Sequence, residues 1–205
     1  YNYELTVRNI IDNKQIIFFT FKTFASNNPD SNYIDILDHI IIKSRLSKLV
    51  SLLREKHGFI YTLESSNFNF INNGFYTIQI IINKNLNVKK VIKLIFNEFN
   101  KLKNDNLTDK ELEKYKNNYI KMLQLKLKDY KFYLNFFGEK LFHNQDFEIE
   151  KYFTMINDLT SNKMNDIFNK ILNYYQMNVV LYGNFDNINK TNNKIYNLIT
   201  KYRND

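Results

Sequence analysis

The chain has 205 residues, of which 44% are hydrophobic, and a formal net charge of +8 at pH 7. This length and apolar content suit a single globular domain with its own core. The absence of cysteine excludes a disulfide framework and a thiolate zinc site. The longest largely apolar run, FYTIQIII, is too short to span a bilayer as a helix, so we expect no membrane segment.

The positive charge comes almost entirely from lysines scattered among Asn, Ile, Phe and Tyr. All five residue types have codons rich in A and T, so a biased genome explains this composition as well as a polyanion partner does. The scatter favours a solvated lysine surface over nucleic-acid binding. The amino end, YNYELTVRN, has neither an initiator Met nor a signal-peptide pattern, and we interpret the sequence as a piece of a longer chain.

The first third of the sequence predicts one strand followed by helix. QIIFFTFKTF, residues 15–24, is rich in Ile and Phe and ends in the turn-like ASNNPDS. Apolar residues then recur at helical spacing over 34–41 and again over 46–54. Gly58 can end the second stretch because glycine adopts a left-handed backbone without steric penalty.

Two strands and a helix are predicted next. FIYTLESSNFNF and FYTIQIIIN flank Asn73 and Gly74, a pair typical of hairpin turns. After Asn87, a candidate N-cap, apolar positions mark a helix that runs to Leu102.

Thr108 and Glu111 form a capping-box pattern that starts a long helix. We expect the lysines on one face, Lys114, Lys121 and Lys128, to be solvated. The opposite face predicts a buried stripe: Leu112, Tyr115, Tyr119, Leu123, Leu127, Tyr130 and Leu134.

Shorter helices are predicted near 149–158 and 162–175, followed by the strand MNVVLYGN and a tail helix from Asn187. The resulting order, β-α-β-β-α-α-α-β-α, indicates an α+β fold with two layers, in which an antiparallel or mixed sheet carries its helices mainly on one face. No linker or internal repeat interrupts it, so 1–205 is interpreted as one domain.

Catalytic motifs are absent from the sequence. The three histidines are His39, His57 and His143, and no two of them have metal-ligand spacing. Asp35 with His39, and Glu139 with His143, lie four residues apart, but each pair supplies only two ligands. We therefore expect surface contacts from these pairs and no metal site in this chain. The isolated glycines form no phosphate-binding loop.

SKLVSLLREKHGFIY resembles the pattern S-R-L-x-x-x-L-R-E-K-x-G-x-x-Y of the pitrilysin/insulinase superfamily of zinc metallopeptidases. Lys48 replaces the usual Arg, and IIKS replaces the glycines that often precede the segment. Strand and helix segments in the family's order extend the resemblance from about residue 15 to about residue 185. It implies the α+β domain of the mitochondrial processing peptidase type.

In this superfamily, homologous halves face each other across a closed chamber. The first half carries H-x-x-E-H and binds zinc, while the second lacks that motif and contributes an Arg and a Tyr that contact substrate. The resemblance assigns these roles to Arg54 and Tyr61, and places the chain in a second half with zinc in the partner half. It leaves the compartment open, since members occur in mitochondria, plastids, cytosol and bacteria.

The residue chemistry is compatible with this assignment. An Arg near the end of a helix and a Tyr at the start of the next strand can aim a cation and a hydroxyl at one peptide carbonyl. Alternatively, Arg54 only caps its helix and Tyr61 only packs. The leading hypothesis is a substrate-enclosing domain that cleaves peptides together with an H-x-x-E-H half. The alternatives are a catalytically inactive structural subunit resembling respiratory-complex core proteins, and a lysine-rich nucleic-acid binder.

Overall fold

A computed structural model describes residues 4–9, 14–83, 86–104, 107–142 and 148–204 of the chain. In this part of the chain, five strands form one mixed sheet in the order β1-β5-β2-β4-β3. β1 pairs in parallel with β5, and all the other neighbours are antiparallel. The strands are β1 (Leu5–Asn9), β2 (Lys14–Thr23), β3 (Ile60–Asn69), β4 (Gly74–Asn83) and β5 (Met177–Gly183).

Helices account for most of the remaining described chain. α1 (Ile34–Asp38) continues with π-helical geometry over His39–Lys43, and α2 (Lys48–Val50) does the same over Ser51–Lys56. The later helices are α3 (Val88–Asn104), α4 (Asp109–Lys126), α5 (Tyr130–Phe142), α6 (Ile149–Asn157), α7 (Ser161–Ile171) and α8 (Ile188–Asn204). No helix in the described part is both long and apolar enough to cross a membrane.

The core lies between one face of the sheet and the helices. In β2, Phe19 and Phe21 are fully buried, whereas Phe18 on the opposite face is only half-buried. The ring of Phe99 in α3 lies 5.8 Å from that of Phe21 and contacts it edge-on. The alternation in β2 follows from the two-residue period of a strand whose two faces differ in burial. The α+β prediction, with a two-layer mixed sheet, is confirmed.

The long helix predicted from Thr108 is two helices. The capping box at Thr108 is present, but α4 ends at Lys126, and the Asp129 carboxylate accepts the Phe132 N–H at 2.9 Å to start α5. Because this break turns the helix face, Tyr130 is 68% exposed and Leu134 64%. The prediction that these two residues are buried is therefore wrong.

Two features of the sheet were not foreseen. β1 falls in the polar amino-terminal segment and pairs with β5, a strand from the other end of the chain. The predicted hairpin forms, but Gly74 begins β4 instead of bending the turn. A Cβ on Gly74 would lie 2.5 Å from both Phe24 O and Thr23 Oγ1. Position 74 therefore requires glycine because the chain at residues 23–24 passes too close for a side chain.

Candidate functional site

The segment between α2 and β3 holds both predicted site residues. Gly58 has φ 61°, and its N–H donates to Arg54 O at 3.0 Å, while the Phe59 N–H donates to Leu53 O at 2.8 Å. The prediction that Gly58 ends this helix is thus confirmed. Because the left-handed residue reverses the chain here, Arg54 lies on the last turn of the helix and Tyr61 at the start of the adjacent strand.

Arg54 is exposed and lines a cleft of about 580 Å³ beside β3. Lys43, Leu63 and Glu64 also line this cleft. Within the described part of the chain, the Arg54 guanidinium has no hydrogen bond or ion pair. An unpaired guanidinium beside an edge strand can bind a carbonyl or carboxylate of an incoming chain.

Tyr61 is 59% exposed. The register of β3 against β4 shifts between Ile60 and Thr62, so Tyr61 is the extra residue of a bulge, a feature that re-aims a side chain. The Lys14 ammonium lies 6.0 Å from the Tyr61 ring centroid. Tyr61 does not line the cleft of Arg54, so their convergence on one peptide carbonyl stays a prediction.

The histidines have separate surroundings. His39 is only 2% exposed, and its Nε2 lies 2.9 Å from Asn118 Oδ1. The predicted surface contact for His39 is therefore wrong, because α1 is covered by α4 and β3. The His57 ring stacks on Phe59 at 4.9 Å, and His143 lies outside the described residues. In the described ranges, no group of three His, Asp or Glu could hold a metal ion.

A buried polar cluster escaped the sequence analysis. Asp38 Oδ1 accepts hydrogen bonds from Ser65 Oγ and Tyr76 Oη, both at 2.6 Å, and Lys43 Nζ lies 3.9 Å from Asp38 Oδ2. Burial raises the pKa of Asp38 above its usual value, although these hydrogen bonds and Lys43 favour the carboxylate. The feature of the sequence that could have indicated this cluster is the acidic residue Asp38 inside the apolar run ILDHIII.

The described residues thus form an α+β domain with an exposed Arg54 and Tyr61 on either side of a left-handed glycine. Residues 2–119, more than half of the chain, match the model of the peptidase M16 inactive-domain family. The chain belongs to this family, which confirms the resemblance to the non-metal half of the pitrilysin superfamily.

Solved structures share the fold. A protease from Helicobacter pylori superimposes with a TM-score of 0.81 at 20% identity, over 89% of this chain and 44% of its own. A peptidase M16 inactive domain from Pseudomonas fluorescens superimposes with a TM-score of 0.78 at 20% identity. This superposition covers 90% of this chain and 44% of the Pseudomonas chain. A chain of complex III2 from Candida albicans, with Inz-5 bound, superimposes with a TM-score of 0.74 at 13% identity. This superposition covers 94% of this chain and 49% of the Candida chain.

At these identities the likeness concerns the fold alone. The chain spans less than half the length of each of these three structures. A comparison with curated proteins gives no significant match.

Proposed function

We propose that this chain is the metal-free, substrate-contacting domain of a zinc metallopeptidase and acts with an H-x-x-E-H half that carries the zinc. The observation that carries the proposal is the R-E-K-x-G-x-x-Y segment, which folds as helix, left-handed glycine and strand and leaves Arg54 and Tyr61 exposed. Membership of the inactive-domain family supports a role beside a catalytic half.

The chemistry assigned to this chain is hydrogen-bond donation. The Arg54 guanidinium supplies a permanent positive charge, and the Tyr61 hydroxyl supplies one neutral donor. Directed at a peptide carbonyl, such donors stabilise the negative charge that grows on its oxygen during cleavage. Removing one donor of this kind typically costs about 2.7–4 kcal/mol in the transition state. The zinc and the attacking water belong to the partner half.

A structural subunit without peptidase activity is the second candidate. It is favoured by the superposition on the complex III2 chain, which covers 94% of this chain. In that case Arg54 and Tyr61 would be ordinary surface residues, and their substitution would leave peptide cleavage unaffected.

The deciding experiment measures cleavage of a long peptide by the chain in complex with its zinc-bearing half. Tyr61→Phe and Arg54→Ala should each lower kcat/KM by about 10²–10³ without changing zinc content. Tyr61→Phe deletes one hydroxyl and keeps the ring. If both residues hold the same carbonyl, the double variant should lose less than the sum of the two single losses.

The matched controls are Tyr130→Phe and Arg8→Ala, since both side chains are exposed on other elements. These controls should stay within about twofold of the parent, as is usual for surface substitutions. The proposal fails if the Arg54 and Tyr61 variants also keep kcat/KM within about twofold of the parent, while substitution of the glutamate in the partner half's H-x-x-E-H motif abolishes cleavage.

A further inference from the structure

A cavity of about 330 Å³ lies between α1, β3, α4 and α5. The two later helices contribute apolar residues to its wall, among them Met122 and Phe132. The wall on the side of α1 and β3 is polar and includes His39, Asn67 and Asn69. Because the volume is at the lower end of the range for small-molecule sites, the cavity suits one side chain or one small group rather than a folded partner.

Three buried polar atoms of this wall have no hydrogen-bond partner among the described residues: Nδ1 of His39, Oδ1 of Asn67 and Oδ1 of Asn69. All three are acceptors. Nε2 of His39 lies 2.9 Å from Asn118 Oδ1, so Nε2 carries the proton and Nδ1 presents a lone pair. Burial lowers the pKa of His39, which keeps the ring neutral at pH 7. Because buried polar atoms are nearly always paired, we expect an occupant that offers several hydrogen-bond donors.

The charges around the cavity argue against an ionic occupant. Its lining includes three lysines and only two carboxylates: Lys43, Lys126, Lys140, Asp35 and Asp38. A bound cation would add a further positive charge to this surplus, and like charges placed together are unfavourable. A bound anion would place more acceptors against acceptors that already lack a donor. The occupant that fits is therefore a neutral group that carries donors.

A primary carboxamide has this composition. Its NH2 group offers two N–H donors, and its carbonyl oxygen is an acceptor. The two N–H groups can pair with the unpaired oxygens of Asn67 and Asn69, while the carbonyl oxygen can accept from a lysine of the lining. The methylenes that carry the carboxamide of a Gln side chain would lie against the apolar wall at Met122 and Phe132. A hydroxyl group offers only one donor and would satisfy fewer of these acceptors.

We propose that this cavity binds the primary carboxamide of a peptide, with Asn67 and Asn69 accepting hydrogen bonds from its NH2 group. The peptidic nature of the ligand rests on the proposed function, whereas the carboxamide chemistry rests on the cavity alone. Lys43 lines both this cavity and the cleft of Arg54, so the two depressions adjoin at Lys43. The carboxamide can come from a Gln side chain or from an amidated carboxyl terminus.

Methionine-methyl NMR of the 205-residue chain tests the proposal. Met122 lines the cavity, while Met164 and Met177 are fully buried, do not line it and serve as internal references. The probes are acetylated peptides that end in an N-methylamide, which avoids a primary carboxamide at the terminus, and they differ only in a central Gln, Glu, Lys or Leu. We expect the Gln peptide to shift the Met122 methyl signal and the other three to leave it in place. A shift with the Leu peptide that ends in a primary carboxamide assigns the terminal group as a second source.

The variants Asn67→Leu and Asn69→Leu each remove one acceptor with little change in volume. Since neither oxygen has a partner among the described residues, we expect both variants to fold. Each should weaken binding of the Gln peptide about 2- to 10-fold, the range for one neutral hydrogen bond. Ser66→Leu is the matched control, because Ser66 is exposed on the opposite face of the same strand and does not line the cavity. This control should leave the affinity unchanged.

The inference is overturned if the Gln peptide does not shift Met122, since water alone would then fill the cavity. It is also overturned if the Glu, Lys or Leu N-methylamide peptide shifts Met122 as strongly, or if Ser66→Leu weakens binding as much as the asparagine variants do. These outcomes are independent of cleavage. If Arg54 and Tyr61 prove irrelevant to cleavage while the Gln peptide still shifts Met122, the proposed function fails and the carboxamide site stands.

Discussion

At the scale of single residues, Asp38 illustrates how a polar group is accommodated in this core. It lies on the buried side of α1 among isoleucines, where an unpaired carboxylate would be strongly destabilising. Ser65 from β3 and Tyr76 from β4 both donate to one of its oxygens. The cluster thereby fixes α1 against two strands.

Replacing Tyr76 with Phe should destabilise the chain by about 1–3 kcal/mol, since it removes one donor from a buried acceptor while keeping the ring. Urea unfolding followed by circular dichroism measures this change. Tyr182→Phe, on the more open face of the sheet, is the control and should remain within about 0.5 kcal/mol of the parent. Equal stabilities of the two variants would contradict the role assigned to the cluster.

At the scale of elements, the turn between α2 and β3 decides where the candidate site residues lie. Gly58 is the only described glycine with positive φ, and a Cβ placed on it would meet no atom within 4 Å. If a side chain at position 58 lowers the stability of the fold, the cause is therefore the left-handed backbone conformation and not a steric clash with neighbouring residues. Gly138, within α5, also has open space around it but has helical geometry.

Gly58→Ala should therefore destabilise the chain by about 1–2 kcal/mol, the penalty for a left-handed L-residue. Gly138→Ala should do the opposite and stabilise it by about 0.5–1 kcal/mol, because alanine favours a helix over glycine. Thermal and urea unfolding of both variants give the comparison. A stabilising Gly58→Ala would mean that the turn does not hold its left-handed conformation in solution.

At the scale of the whole molecule, the part of the chain beyond the family match is tied to the rest by both sheet and side chains. The match ends at residue 119, yet β5 is inserted between β1 and β2. Lys116 is 3% exposed, and its ammonium donates to Asn157 O at the end of α6 and, at 3.1 Å, to Leu159 O in the connection between α6 and α7. One lysine thus bridges the matched region and the later helices.

Lys116→Met should destabilise the chain by about 1–3 kcal/mol, since it leaves two backbone carbonyls without their donor. Lys114→Met, on the exposed side of the same helix, should change stability by no more than about 0.5 kcal/mol. The free energies of unfolding in urea provide the test. If the two variants have the same stability, Lys116 does not hold the later helices in place.

The sequence by itself determined the local elements and the class of fold. The strand at 15–24, the capping box at Thr108 and the glycine that ends the helix at position 58 all depend on interactions between near neighbours, and each was confirmed in the structure. The contiguous R-E-K-x-G-x-x-Y segment, together with the strand and helix segments that follow the family's order around it, indicated the family, which the family match confirms.

Only the tertiary structure decided what depends on distant neighbours. The pairing of β1 with β5 joins the two ends of the chain, and the exposure of Tyr130 and Leu134 follows from a break that helical periodicity does not reveal. The burial of His39 beside Asn118 brings together residues far apart in sequence. Such contacts follow from how the helices pack on the sheet, which a single sequence does not encode as a local pattern.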